Sequence, residues 1–399
     1  LIADRTIFRV LVVLAITQLI GWGTISLTAV VGRQFEADLA MDIAVVFAGT
    51  SVLYLTMGLC SPLLARPFIE LGGRTVMMAG TAVSAMGFVL LSVAQGPIVY
   101  FAAWLLFGVG GSASLSTASY IVLNEIAGRN AKGAIGALML VTGLSSSIFW
   151  PTTSFLSGIL GWRYTCLVYA AALLAVSLPL LAFALPRRSK ADIGDAVDHA
   201  SPVELHAPPQ GTFYLLVAGI GLNAFVAIGM SAVLIELLKA EGLPAADAVS
   251  LGSMLGIVQI SARAVDFLGG GRWDGITTGL VAGAALPIAM LLLMLSGGSL
   301  WTVAAFIVLY GLGSGALAVA RATMPLVFYD KAEFAKASSR IALPLNILSA
   351  VSAPILVWLL SRFGSNGLLA LTLLCSCAAL GVLLLLRRRR PGAMAVGLT

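Results

Sequence analysis

The sequence predicts an all-α membrane protein of twelve transmembrane helices arranged as two six-helix halves. Three observations predict it. Of 399 residues, 60% are apolar and only 10% charged, against about 25% charged in soluble domains. Apolar stretches of about 20 residues recur along the chain, the length that a hydrocarbon core about 30 Å thick demands. The cationic residues fall on alternate connections, as they do in polytopic proteins.

The apolar stretches place spans at 7–30, 43–65, 75–94, 97–123, 134–158 and 165–185, then at 212–235, 247–267, 276–296, 299–325, 341–361 and 367–386. The first reads as a span and not as a cleaved signal, because no small-residue cleavage site leads into a soluble domain. Connections are short except for 186–211, a polar, proline-bearing and aperiodic segment that reads as a linker. The organisation is therefore an N-terminal half at 1–185, a linker at 186–211, a C-terminal half at 212–386 and a basic tail at 387–399.

Orientation follows from lysine and arginine. With the N-terminus inside, seventeen face the cytoplasm, among them Arg5, Arg66, Arg74, Arg272 and the run Arg387 to Arg390; only Arg33, Arg163, Lys239 and Arg362 face out. Both termini and the linker are then cytoplasmic. The same asymmetry accounts for the net charge of +6 without a nucleic-acid partner. The Arg387–Arg390 run reads as a topogenic anchor beside lipid.

Some chemistries are excluded early. Cys60, Cys166, Cys375 and Cys377 lie in apolar stretches, and His199 and His206 lie in the linker, so no metal set is expected. The sequence has no Gly-x-x-x-x-Gly-Lys-Ser/Thr phosphate loop and no Gly-x-Ser-x-Gly elbow. An enzyme, an ATP-driven pump and a bound cofactor are all disfavoured. A non-transporting receptor is disfavoured too, for no loop is long enough for an output domain.

The halves carry a repeated turn. Leu71-Gly72-Gly73-Arg74 follows span two, and Gly269-Gly270-Gly271-Arg272 follows span eight. Parallel repeats of six spans, with a solute site between them near mid-membrane, are the logic of alternating access. In these respects the chain resembles the major facilitator superfamily over its whole length. The resemblance rests on the twelve-span plan, the central linker and the turn running from Ser61 through Arg66, Ile69, Glu70 and Leu71 to Arg74. Where that family's turn has an Asp and then a basic residue, this sequence has Ile69 and Glu70.

Within the superfamily the chain is most similar to the bacterial monocarboxylate-transporter-like branch. Gly21-Trp22-Gly23, Phe149-Trp150-Pro151 with Leu160-Gly161-Trp162-Arg163, and the segment from Ser253 to Arg263 carry that likeness. The resemblance implies a secondary transporter of a small organic anion in an inner, plasma-type membrane, acting as a monomer. In those carriers an Asp stands four residues before the Arg; here Gln259 takes its place, so the resemblance supports anion binding better than proton coupling.

A charge inside a span costs a few kcal/mol and is a functional candidate by default. Arg263 lies about 24 Å into span eight at 1.5 Å per residue, either gripping a carboxylate or snorkelling to the interface. Gln259 is one turn away on the same face. Asp266, three residues beyond Arg263, pairs with it or trades it for a proton. Arg321 sits at the inner edge of span ten, where snorkelling competes with substrate binding. Gln18 and Trp22 in span one, Tyr54 in span two, Tyr120 in span four, Asn223 in span seven and Asn346 in span eleven are the uncharged candidates. For each the competing reading is a hydrogen bond between helices worth about 1 kcal/mol.

Glu125 joins Asp266 as a candidate for carrying a coupling proton, and Arg66, Arg74 and Arg272 are the gating candidates of the two turns. Gly311-x-Gly313-x-Gly315 reads as a close-packing surface, and Pro151, Pro344 and Pro354 as helix breaks or bends. An inside-negative potential opposes anion entry by about 2.3 kcal/mol per charge per 100 mV, so uptake of an anion needs a co-ion. The competing transport reading is export of lipophilic or drug-like compounds through a mostly apolar cavity.

Overall fold

The computed structural model describes residues 5–186, 210–269, 272–295 and 299–390. The linker from 187 to 209, Gly270 and Gly271 of the second turn, and the tail beyond 390 lie outside the described residues. Among those described every regular element is helical. The first eight helices in chain order are α1 (Arg5–Ile25), α2 (Thr28–Leu39), α3 (Ile43–Cys60), α4 (Ala65–Glu70), α5 (Gly72–Ser92), α6 (Pro97–Ser114), α7 (Ser116–Ala127) and α8 (Ala131–Thr142). They are followed by α9 (Ser145–Ala172), α10 (Leu178–Ala184), α11 (Gln210–Ala240), α12 (Ala245–Leu268), α13 (Gly275–Met294), α14 (Leu300–Thr323) and α15 (Lys331–Arg388). Such a solution is what lipid imposes, since only a helix satisfies all its backbone groups internally.

Among the described residues, ten helical stretches are long and apolar enough to cross a membrane, against twelve expected. The difference has two sources. Ala131–Ala184 and Glu333–Arg388 each run for more than 50 residues where the sequence places spans five with six and eleven with twelve. Only a handful of residues separate those apolar runs. Helical hydrogen bonding therefore reaches almost to a single non-helical residue from both sides. That residue is Gly161 in α9 (φ 77°, ψ 163°) and Gly364 in α15 (φ 67°, ψ −170°). Both sit in a region of backbone space open essentially only to glycine. Pro151, Pro344 and Pro354 keep helical dihedrals and so do not break their helices, while the two glycines do not keep them.

The chain forms two compact units. One comprises described residues of 1–134, 141–207 and 331–346; the other comprises those of 135–140, 208–330 and 347–399. The first is centred on aromatic side chains. Phe35 meets Trp162 and Tyr100 edge-on, and Phe88 packs against Phe107 and Tyr169. Such pairs contribute about 0.5–1.5 kcal/mol each beyond their buried area. Trp162 Nε1 donates to Asp38 Oδ2 at 2.7 Å. Arg163 lies over the Trp162 ring and donates to the carbonyls of Ser92 and Ala94 at the end of α5. The Leu160-Gly161-Trp162-Arg163 motif is thus a kink whose aromatic and cationic members fasten it to neighbouring elements.

In the second unit Phe306 and Tyr310 stack at the centre, and Tyr310 Oη donates to Ala227 O at 3.0 Å. The helices here approach through glycine. A Cβ on Gly313 would lie 3.0 Å from Ala282 O, and one on Gly315 only 2.4 Å from Gln259 O. Gly311-x-Gly313-x-Gly315 is accordingly the surface on which α14 meets α12 and α13. Without a hydrophobic drive between helices in lipid, close backbone approach is a main source of their association.

Candidate functional site

In the first unit Gln18 and Trp22, one turn apart on α1, both reach the same irregularity. Span four is not one helix: α6 ends at Ser114, Leu115 is extended (φ −86°, ψ −153°), and α7 begins at Ser116. Gln18 Nε2 donates to Ser114 O at 2.7 Å, and Trp22 Nε1 donates to Ser116 Oγ at 3.0 Å. The amide supplies a partner that the interrupted helix cannot give its own carbonyl. Gln18 is 1% exposed, and its Oε1 finds no hydrogen-bond partner in the protein. Tyr54, Tyr120 and Glu125 are half-buried in the same unit. Asn346 is buried and donates from Nδ2 to Ala342 O in its own helix at 2.8 Å.

In the second unit Asn223, on α11, is 3% exposed. Neither its Nδ2 nor its Oδ1 has a partner within the protein. A buried amide left so costs about 1–3 kcal/mol for each unmet group. Gln259 differs, since its Nε2 donates to Ser314 Oγ at 3.0 Å across the α12–α14 contact. Half-buried Arg263, on the same helix as Gln259, directs Nη1 towards Met139 O at 3.4 Å, the long end of hydrogen-bond range. The clustering of residues 135–140 with the second unit includes this contact. Arg321 is half-buried in the last turn of α14.

Asp266, near the end of α12, is buried, and its Oδ1 accepts from Trp273 Nε1 at 2.9 Å and Thr278 Oγ1 at 2.7 Å. These donors tie it to the turn between α12 and α13. Arg66 and Arg272 are exposed and Arg74 is half-buried. At the end of the basic run Arg390 pairs with Asp274 and donates to Thr277 Oγ1 at 3.0 Å, so its guanidinium engages protein. Asp274 also caps α13 by accepting from Thr277 N at 2.8 Å. Burial works against that carboxylate, but the Arg390 guanidinium and the Thr277 donors hold its pKa below the usual value.

Sequence reasoning missed Ser114, Ser116, Trp273, Thr278, Asp274 and Arg390 as partners. For Asp274 a signal existed, namely an Asp directly before an apolar helical run. The others depend on which helices meet. Among the described residues no three His, Cys, Asp or Glu side chains gather as metal ligands.

Many apolar helices, two units, and uncharged polar groups buried at helix breaks and helix crossings define a polytopic helical membrane carrier. The sequence profile of the Major Facilitator Superfamily matches residues 10–285, well over half of the chain, and the protein belongs to that superfamily of secondary transporters. Solved structures share the fold. The human organic anion transporter MFSD10 (TETRAN) superposes with a TM-score of 0.73 at 15% identity, covering 95% of this chain and 100% of that one. The proton:xylose symporter XylE, bound to 6-bromo-6-deoxy-D-glucose, gives 0.71 at 12% identity over 96% of each chain.

Proposed function

We propose that the protein moves a small organic anion, monocarboxylate-like in size, across an inner membrane by alternating access. The single observation that supports this best is Asn223, a buried amide with both a donor and an acceptor unmet in the protein. Such a group is unfavourable for stability and is retained where a ligand completes it. A small carboxylate bearing a keto or hydroxy group offers oxygens to the amide N–H and, in the hydroxy case, a proton to Oδ1. Arg263 and Gln259 of the same unit supply the cationic and hydrogen-bonding complement.

In this reading the two long stretches reverse at Gly161 and Gly364. At 1.5 Å per residue each would otherwise extend about 80 Å, more than twice a hydrocarbon core of about 30 Å. Twelve spans result, in halves at 1–185 and 212–386, with both termini cytoplasmic by the arginine and lysine asymmetry. The protein works as a monomer surrounded by lipid. The solved relatives leave the substrate open: one is described as carrying organic anions and the other xylose with a proton.

The test is counterflow in liposomes of labelled lactate, pyruvate and longer or aromatic carboxylates, comparing wild type with Arg263→Ala and Asn223→Ala. Exchange by the wild type is expected, with at least a tenfold loss in each variant. Carboxylate exchange that survives both substitutions would remove these residues from the site. No carboxylate exchange by folded protein would sink the anion reading and favour export of lipophilic compounds.

A further inference from the structure

Within the first unit a small cavity has a volume of ≈ 10 Å³, about that of one water-sized sphere. Its walls carry six hydroxyls, those of Thr17 and Thr24 on α1, Thr81 and Ser84 on α5, Ser114 at the end of α6, and Ser177. Two irregular backbone segments meet there. One is the break of span four after Ser114, and the other is the π-type turn Leu173–Ser177 between α9 and α10. Irregular backbone at membrane depth occurs where it is enclosed by protein or lines a cavity.

The polarity of this cavity is one-sided. Thr17 donates its proton to Leu14 O, Thr24 to Ile20 O, Thr81 to Met77 O and Ser114 to Gly110 O. With those protons committed to the helices, the four oxygens offer their surroundings only lone pairs. Ser177 is 1% exposed, and its Oγ has no partner in the protein. A water would bring two lone pairs of its own into this set. A small cation meets the lone pairs of these oxygens attractively, and the uncommitted Ser177 proton can turn away from it. The absence of a carboxylate from the walls disfavours a divalent ion, whose sites usually include one.

We propose that this hydroxyl-lined cavity between α1, α5, the break of span four and the π-type turn is a sodium-ion site that couples transport. The proposal builds on the anion reading above: one Na⁺ carried with one monocarboxylate removes the charge that the membrane potential would otherwise oppose. It needs no titrating acid at mid-membrane. Unwound backbone beside side-chain oxygens is a recurring way for transporters to hold coupling ions.

The test separates the ion from the substrate. Thermal unfolding of purified protein is followed without any carboxylate, in NaCl against choline chloride at equal ionic strength. Wild type is expected to melt higher as Na⁺ rises, since a ligand bound only by the native state stabilises it. In Ser177→Ala and Ser84→Ala, which alter two different helical segments, the apparent Na⁺ affinity is expected to fall at least tenfold with melting in choline unchanged. A wild-type melting point indifferent to Na⁺ overturns the proposal. So does an undiminished Na⁺ response in both variants, which would place the ion elsewhere. Na⁺ stabilisation without carboxylate counterflow would leave the ion site standing and remove the substrate. Carboxylate counterflow with no Na⁺ response would do the reverse.

Discussion

At the scale of single residues, the informative quantity is whether a buried polar atom has a partner. Gln18, Gln259 and Asn346 are chemically similar to Asn223, yet each of them donates from its amide to protein. Asn223 does not, so stability and transport should respond to it in opposite directions. Asn223→Leu, close in volume and free of polar atoms, is expected to raise stability by about 1–3 kcal/mol while lowering counterflow at least tenfold. Melting and exchange measured on one preparation check both. A variant that loses stability would mean that Asn223 holds the fold together. Asp266 has a fuller set of partners. The sequence offered it as a partner of Arg263 or a proton carrier, and the structure ties its Oδ1 to Trp273 and Thr278.

At the scale of elements, the helices are decided by their interruptions. Gly161 and Gly364 lie in the two stretches exceeding 50 residues, each in backbone space that a Cβ excludes. Neither would bring a Cβ within 4 Å of another group, so a substitution there reports backbone strain alone. Gly161→Ala and Gly364→Ala are each expected to cost about 1–3 kcal/mol, read as a lower melting point. A neutral result at both positions would mean that the reversals are made elsewhere. Leu115 is a break of another kind. Its extended backbone is open to any residue, and the support comes from Gln18 and Trp22 on α1. Nothing local forewarns of it, because no glycine or proline marks Ser114-Leu115-Ser116.

At the scale of the whole molecule, charge and membrane potential decide what a carrier can do. A lone anion entering against 100 mV meets about 2.3 kcal/mol, roughly a fiftyfold penalty at equilibrium. If one Na⁺ accompanies each monocarboxylate, net movement carries no charge. Carboxylate accumulation driven by a sodium gradient is then expected to be unchanged, within about twofold, when a potassium diffusion potential of 100 mV is imposed. An inside-negative potential that enhanced accumulation would show that more than one cation crosses per anion, and one that depressed it would show uncompensated anion movement. The charge asymmetry belongs to this scale too. Although Arg390 turns to Asp274 and Thr277, the run it ends remains the densest positive segment of the chain.

The class, the apolar stretches and the charge bias were legible in the sequence alone. These are local sums along one chain, and lipid reads them much as a hydropathy window does. The sequence also left almost no residues between the apolar runs on either side of Gly161 and of Gly364, without marking either glycine. Only the tertiary structure decided which buried groups are satisfied, because a hydrogen bond depends on residues far apart in sequence. Gln18 meets Ser114 and Trp162 meets Asp38 across separations of 96 and 124 residues. The hydroxyls around the small cavity are unremarkable one at a time, four of them bonded to their own helix and Ser177 without a partner. What no window along the chain contains is their convergence on one space.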